Sequence, residues 1–179
     1  MGVEGSAPAR TVVESGAARE FVDTFATHHR AALRLAYLLT GDTGSAEDIV
    51  ADAFAGMFVR WRRDRIDDPA AYLRRAVVNQ TRGRFRRASV RRRHDERVVT
   101  RLEPAGVGFD ERVAERERLR GALAQLPAGQ RATVVLRVLE DLSVAETARV
   151  MGVSAGTVKV QLARGLERLR AALDDEGRP

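Results

Sequence analysis

Residues 143–170 read SVAETARVMGVSAGTVKVQLARGLERLR, the pattern of two short helices joined by a tight turn. Gly152 and Val153 form the turn, because glycine adopts the positive φ that ends a helix and the valine after it can pack against that helix. Ser143, with Glu146 three residues later, is typical of a capping box at the start of the first helix. Ser154 is the expected N-cap of the second helix. The segment therefore predicts a helix-turn-helix.

The second helix of this motif divides into two faces. Apolar residues recur at three- and four-residue intervals and define a buried stripe, with Gly165 beside it: Val158, Leu162, Leu166, Leu169 and Leu173. The other side offers what a helix needs in the major groove of DNA, namely small residues, polar groups and cations. The candidate DNA contacts are Ser154, Gly156, Thr157, Lys159, Val160 and Arg164. Val160 either meets a thymine methyl or is covered by another part of the protein. A helical hairpin of this kind can also be purely structural, so the motif alone leaves DNA binding open.

The charge distribution favours a polyanionic partner. The chain has a net charge of +6 and its arginines crowd the middle of the sequence. Arg75, Asn79, Arg82 and Arg86 recur at helical spacing and form one outer face. A solvated basic face normally interleaves carboxylates, yet none occurs between residues 72 and 94.

The composition disfavours several other classes of protein. The chain has 179 residues, 44% of them hydrophobic, and no cysteine, which excludes disulfides and thiolate chemistry. The three histidines lack the spacing of a metal site. No apolar run approaches the roughly 20 residues that span a bilayer, and the N-terminal segment lacks the apolar core of a signal peptide. We expect a cytoplasmic, non-enzymatic protein without a metal or cofactor.

Hydrophobic periodicity predicts an all-α protein with two small helical domains joined by a flexible linker, because no segment alternates with period two for long enough to form a sheet. The expected organisation is a disordered N-terminal tail (1–16), a first helical domain (17–88), a linker (89–109), a second domain containing the helix-turn-helix (110–174) and a C-terminal tail (175–179).

Finer features within the domains are also predicted. Ser45 is the expected cap of the second helix, and Asp68, followed by Pro69 at the first helical position, begins the third. Phe25 and Phe58 fall on apolar helix faces, as does Trp61, for which a core role is favoured over base stacking. In the second domain four apolar residues are expected to point inward: Val134, Val135, Val138 and Leu139.

An acidic group lies on the second helix, formed by Glu47, Asp48 and Asp52. The helix dipole favours carboxylates near a helix N-terminus and explains part of this clustering. A protein-binding patch is the functional alternative.

Taken together, the motifs resemble a bacterial RNA polymerase sigma factor of the extracytoplasmic-function type, similar to small sigma factors of actinobacteria. The resemblance covers roughly residues 17–173. LAYLLTGD, AEDIVADAF and DPAAYLRRAVVNQTRGRFRR are similar to sigma region 2, and the segment from LPAGQRATVVLRVLEDL through the helix-turn-helix is similar to region 4.

The resemblance implies a role for each surface. Docking on the β′ clamp of core RNA polymerase would be the role of Glu47, Asp48 and Asp52. Region 4 would contact the β flap of the polymerase and the minus-35 element of promoter DNA. The minus-10 element would be melted and read by region 2, through the residues Arg62, Arg63, Arg65, Arg75, Asn79, Arg82 and Arg86. An anti-sigma factor would insert between the two domains.

Two positions depart from the family pattern. Gly83 stands where an acidic residue is common after Asn79, and Val160-Gln161 stands where a polar residue and an arginine are common. Both lie at promoter-reading positions, so they put the sequence preference in doubt rather than the fold. Two other hypotheses are an operator-binding dimeric regulator, which leaves the acidic residues without a role, and an RNA-binding basic protein, which leaves the capped second helix unexplained.

Overall fold

The computed structural model describes residues 8–64, 66–94 and 111–175. Over these ranges the chain is helical and contains no β-strand. The elements are α1 (Pro8–Thr40), α2 (Thr43–Trp61), α3 (Pro69–His94), α4 (Glu111–Ala124), α5 (Ala128–Val134), a π-helical turn (Val135–Leu139), α6 (Val144–Met151) and α7 (Ala155–Asp175). The predicted all-α fold is confirmed, with α1–α3 forming one helical domain and α4–α7 the other.

The first domain is a three-helix unit with an apolar centre. Its fully buried side chains come from all three helices: Leu35 and Leu39 from α1, Ile49 and Met57 from α2, and Val77 from α3. Within α1 and α2 these residues are four and eight positions apart, so they share one face of each helix.

Aromatic rings close one end of this domain. The Phe21 ring lies edge-on to those of Phe58 and Trp61, with centroid distances of 5.0 and 5.9 Å. Trp61 is half-buried against the core, as predicted. Phe25 and Phe58, however, are 41% and 43% exposed. Both rings lie on the predicted apolar faces and contact other aromatic rings, but the neighbouring helices cover them only in part.

The start of α2 corrects a second expectation. Its N-cap is Asp42, not Ser45: the Asp42 carboxylate accepts the Ser45 backbone N–H at 2.7 Å. This hydrogen bond, followed by one from the Ser45 side chain, lowers the pKa of Asp42. Ser45 therefore lies within the first turn of α2, and its backbone N–H is the donor that the Asp42 cap satisfies. At α3 the prediction is confirmed, because Asp68 Oδ1 accepts the Ala71 N–H at 2.8 Å and Pro69 is the first helical residue.

Two helices extend beyond the domain limits expected from sequence. α1 begins at Pro8, within the segment 1–16 expected to be disordered, and α3 continues to His94, within the expected linker 89–109. Proline needs no N–H partner at a first helical position, and neither residues 9–15 nor residues 88–94 contain glycine or proline to interrupt the helix. The rest of the expected tails and linker lies outside the described residues, at 1–7, 95–110 and 176–179.

The second domain is centred on the close crossing of α5 and α7. Val134 and Val158 are fully buried there, and Gly165 lies between the two helices. A Cβ on Gly165 would come within 2.8 Å of Val134 Cγ2, closer than such atoms approach. The glycine beside the predicted apolar stripe therefore permits the crossing.

The π-helical turn changes which residues face the core. The Glu140 N–H donates to the Val135 carbonyl at 3.0 Å, five residues back, so each side chain is rotated relative to an α-helix. Val134 and Val135 are buried as predicted, but Val138 and Leu139 are 55% and 38% exposed. The prediction that the latter two point inward was wrong because it assumed a continuous 3.6-residue period.

The two domains lie against each other over the described residues. α6 packs on α3, while α4 and α5 reach the C-terminal end of α1. No pattern in the sequence predicts this arrangement.

Candidate nucleic-acid interface

The helix-turn-helix is formed by α6 and α7, and its predicted caps are present. Ser143 Oγ accepts the Glu146 N–H at 3.2 Å, and the Glu146 carboxylate accepts the Ser143 N–H at 2.8 Å. Hydrogen bonds from Ser143 lower the pKa of Glu146. Gly152 ends α6 in the left-handed conformation, with φ 62° and ψ 41°, and the next N–H, that of Val153, donates to the Ala148 carbonyl. The angle between the two helices is thus set by backbone and capping hydrogen bonds.

Helix α7 begins at a serine cap, as predicted. Ser154 Oγ accepts the Thr157 N–H at 3.1 Å and lies 2.9 Å from the Thr157 hydroxyl. This cap holds the first turn, where Ser154 and Gly156 are exposed and Thr157 is half-buried. The N–H groups of that turn and the positive end of the helix dipole face the same side, which suits an anionic ligand.

The remaining candidate residues of α7 lie on the surface. Lys159, Val160 and Arg164 are all exposed, and Val160 is open over 50% of its surface. One explanation for the apolar side chain of Val160 was that another part of the protein covers it. Among the residues that the structure describes, no other part of the chain does so. We call the set Ser154, Gly156, Thr157, Lys159, Val160 and Arg164 the recognition surface.

Gln161, next to Val160, is turned away from this surface. Its Oε1 lies 2.8 Å from the Thr133 hydroxyl of α5, and a Cβ built on Gly129 would lie 3.0 Å from its Nε2. Because the amide is half-buried between α5 and α7, it supports the helix crossing. Of the unusual pair Val160-Gln161, only Val160 is presented outward.

The basic residues of the first domain form a second surface. Arg75, Asn79 and Arg86 project from α3 and are exposed, as are Arg62 and Arg63 at the end of α2. Arg65 lies outside the described residues. We call these residues, together with Arg82, the basic surface.

A shallow cavity lies beside the basic surface. Its volume is about 350 Å³ and it is lined by Phe58, Val59, Arg62 and Arg63. The sequence pattern did not indicate Phe58 and Val59 as surface residues, since their positions in α2 are also compatible with burial. The cavity combines an exposed aromatic ring with two guanidinium groups, which suits an unstacked base next to a phosphate.

Arg82 differs from its neighbours on the basic surface. Its guanidinium donates to the backbone carbonyl of Met151, the last residue of α6. In this arrangement one guanidinium nitrogen faces the second domain, while the Arg82 residue as a whole is exposed.

The acidic residues of α2 form a third surface. Glu47, Asp48 and Asp52 are exposed, and we call them the acidic face. Because α2 starts at Thr43, they lie beyond its first turn, where the helix dipole has little effect. The dipole therefore does not account for them. Asp48 makes one exposed ion pair, at 3.3 Å, with Arg84 of α3.

Other kinds of site have little support in the part of the chain that the structure describes. No group of three His, Cys, Asp or Glu side chains is arranged to hold a metal ion there. Within the same ranges, no helix is long and apolar enough to cross a membrane.

Comparison with known proteins identifies both domains. The Sigma-70 region 2 family model matches residues 24–91, and the Sigma-70, region 4 model matches residues 116–169. The RNA polymerase sigma-E factor of Streptomyces coelicolor is 40% identical over 163 residues, which cover 88% of this chain and 88% of that protein. The chain belongs to the sigma-70 family, as an extracytoplasmic-function sigma factor. The resemblance seen in the sequence is thereby confirmed.

Other relatives agree with this assignment. The ECF RNA polymerase sigma factor SigM of Mycobacterium tuberculosis is 34% identical over 157 residues, covering 86% of this chain and 76% of that protein. Among solved structures, CnrH in complex with the cytosolic domain of CnrY matches with a TM-score of 0.58 and 26% identity, over 93% of this chain and 97% of that one. The sigma factor RpoE in complex with the anti-sigma factor NepR, from Bartonella quintana, shares the fold, with a TM-score of 0.70 and 21% identity over 87% and 98% of the two chains. This sigma factor acts in promoter recognition and transcription initiation by RNA polymerase.

Proposed function

We propose that this sigma factor binds core RNA polymerase through its acidic face and reads promoters through its two other surfaces. The recognition surface contacts duplex DNA at the minus-35 element. The basic surface, including Arg65, contacts and melts the minus-10 element. The acidic face, Glu47, Asp48 and Asp52, docks on the β′ clamp, and the second domain contacts the β flap.

The observation that carries this proposal is the presence of two oppositely charged surfaces on one small domain. The basic surface of α3 suits the phosphate backbone, whereas the acidic face of α2 repels it. The acidic face therefore requires a partner other than DNA. A regulator that acts on DNA alone has no use for it, but a protein that links polymerase to DNA needs both surfaces.

The recognition surface supports the minus-35 assignment through its chemistry. Gly156 allows the helix start to approach DNA closely, and Lys159 and Arg164 are placed for phosphates. Val160 supplies an exposed apolar contact for a thymine methyl.

The cavity beside the basic surface supports the minus-10 assignment. An unstacked base can lie against the Phe58 ring while Arg62 and Arg63 neutralise its flanking phosphates. In this mechanism the chain performs no catalysis; the polymerase supplies the chemistry, in the cytoplasm. An anti-sigma factor is a further proposed partner, since the related chains CnrH and RpoE were solved in complex with the cytosolic domain of CnrY and with NepR.

Polymerase docking is tested by charge removal on the acidic face. Replacement of Glu47, Asp48 and Asp52 by alanine should weaken core binding about tenfold, since three exposed ion pairs at about 0.5 kcal/mol each sum to about 1.5 kcal/mol. Binding of labelled protein to sigma-free core measures this by fluorescence anisotropy. The matched control removes three exposed carboxylates elsewhere, Glu20, Asp23 and Glu115, and should change affinity less than about twofold. Equal losses in the two variants would contradict the docking assignment.

Promoter reading is tested on α7. Lys159→Ala should weaken holoenzyme binding to all promoters alike and reduce the salt dependence by about one unit of slope. Val160→Ala should instead change the preference at one base pair of the minus-35 element. The control is Arg170→Ala, an exposed arginine near the other end of α7, which should leave affinity and preference unchanged. If Arg170→Ala had the effect of Lys159→Ala, the charge of the whole helix rather than the recognition surface would be responsible.

A further inference from the structure

A polar cavity lies where α3 of the first domain meets α6 of the second. Its volume is about 220 Å³. It is lined by residues of these two helices and of the segments just before them: Asp68, Ala71, Arg74, Arg75, Leu142, Glu146, Arg149 and Val150. Apart from Arg75, none of them belongs to the recognition surface, the basic surface or the acidic face. The cavity is therefore a separate feature of the molecule.

The three arginines of this cavity have no partner among the described residues. Arg74 and Arg75 belong to α3, and Arg149 belongs to α6. Within those ranges none of the three donates a hydrogen bond or forms an ion pair. The Nε of Arg74 is buried and finds no acceptor in the described part of the chain. A buried donor without an acceptor costs free energy, which an anionic ligand would remove.

The two carboxylates of the cavity are engaged as helix caps. Asp68 caps α3, and Glu146 completes the capping box of α6. Hydrogen bonds from Ser143 lower the pKa of Glu146, and the charges of Arg149 and Arg74 lower it further. An arginine from each domain is thus close enough to act on the same carboxylate. Because three guanidinium groups face only two carboxylates, the cavity keeps an excess of positive charge.

Two helix N-termini add to this positive charge. The first turns of α3 and α6 both line the cavity, through Ala71 and Glu146. Since the N-terminal end of a helix carries a partial positive charge, both dipoles favour an anion there. Guanidinium groups bind phosphate oxygens through paired N–H donors. The volume is below the roughly 300–1,000 Å³ of sites for drug-sized ligands, so the cavity suits a small anion.

We propose that this cavity binds a small phosphate-bearing anion between Arg74 and Arg75 of the first domain and Arg149 of the second. The group that is bound is a phosphate or pyrophosphate, either free or at the end of a nucleotide, because both sources present the same oxygens. Arg75 and Arg149 are exposed and Arg74 is half-buried, so the anion can enter from solvent. The site requires neither polymerase nor promoter DNA and is independent of the proposed function.

Calorimetric titration of the full chain with inorganic pyrophosphate, at constant ionic strength, tests the site. We expect one saturable site per chain. Arg149→Gln should weaken binding at least about tenfold, because a hydrogen bond between charged groups is lost. The matched control is Arg168→Gln, an exposed arginine of α7 outside the cavity, which should change affinity less than about twofold. Absence of saturable binding, or equal weakening in the two variants, would overturn the proposal.

Glu146→Gln provides a test of opposite sign. Glutamine can keep the capping box with Ser143, but it removes a negative charge from the cavity. Pyrophosphate should therefore bind about two- to fivefold more tightly. A variant that merely disturbed α6 would bind the anion less well. Unchanged or weaker binding by Glu146→Gln would count against the site.

Titration with ADP distinguishes the two sources of the anion. Tighter binding of ADP than of pyrophosphate, with the same loss in Arg149→Gln, would assign the site to a nucleotide. Equal or weaker binding of ADP would assign it to a free inorganic anion. Both results support a phosphate site at the cavity, and the variants of Arg149 and Glu146 decide whether that site exists.

Discussion

Gly152→Ala isolates the backbone requirement of the turn between α6 and α7. Gly152 has a φ of 62°, and a Cβ built on it meets nothing within 4 Å, so crowding plays no part. The expected loss is that of an L-residue held in the left-handed conformation, about 1–2 kcal/mol. Alanine also restricts the unfolded chain, which offsets about 0.4–1 kcal/mol. The free energy of unfolding should therefore fall by about 1 kcal/mol.

Urea denaturation followed by circular dichroism measures this change. Gly152→Asn should lose less than Gly152→Ala, because asparagine tolerates the left-handed region better than alanine. Gly83→Ala is the matched control in α3, where the nearest side-chain atoms to a new Cβ are those of Arg87 at 3.9 Å; it should gain about 0.5–1 kcal/mol. Unchanged stability in Gly152→Ala, or a larger loss with asparagine than with alanine, would refute the reasoning.

Three further predictions concern other contacts. Gly165→Ala should destabilise the second domain by about 1–2 kcal/mol, because the new Cβ would lie 2.8 Å from the buried Val134 side chain. Urea denaturation measures this change. A gain in stability would show that α5 and α7 do not cross so closely. Asp42→Asn should reduce the fall of the thermal midpoint at acid pH. Folding lowers the pKa of the Asp42 carboxyl, so the stability that this carboxylate contributes is complete above the ordinary pKa of an aspartate. That stability is lost as the pH falls through the lower pKa of the folded state. Parallel melting curves for Asp42→Asn and wild type would contradict this. Arg84→Ala should change stability by less than about 1 kcal/mol, because its ion pair with Asp48 is exposed, and a larger loss in urea denaturation would mean that the pair is structural.

Features set by a few adjacent residues could be predicted from the sequence. The predicted helix caps are present at Ser143 with Glu146, at Ser154 and at Asp68, and the predicted turn is present at Gly152. These features could be predicted because a cap depends on side chains within one helical turn. Ser45 was misassigned as a cap since Asp42, an equally good cap three residues earlier, also begins a helix. Where two caps compete, the local signal does not choose between them.

Features that depend on distant contacts could not be predicted. The outward turn of Val138 and Leu139 follows from a π-helical turn, which a search for a 3.6-residue period does not detect. Burial of Arg131 runs against the usual exposure of arginine and depends on carbonyls from both domains. The capture of Arg82 by Met151 likewise joins residues 69 positions apart.

The candidate surfaces were found from sequence because charge and helical spacing are visible there. Apart from the half-buried Thr157, the described residues of the recognition surface, the acidic face and the basic surface are exposed. Their assignment to particular promoter elements and polymerase subunits stays a prediction. The cavity at Phe58 could not be foreseen, because exposure at the margin of an apolar stripe depends on how far the neighbouring helix extends.

Start-site mapping tests the central claim most directly. The protein is added to sigma-free core polymerase with genomic DNA, and the 5′ ends of the transcripts are determined for wild type and for the alanine triple variant of the acidic face. Our account predicts discrete starts that share upstream minus-35 and minus-10 elements and that are strongly reduced in the variant. Sequence-selective DNA binding by the protein alone, with no polymerase-dependent starts, would contradict it.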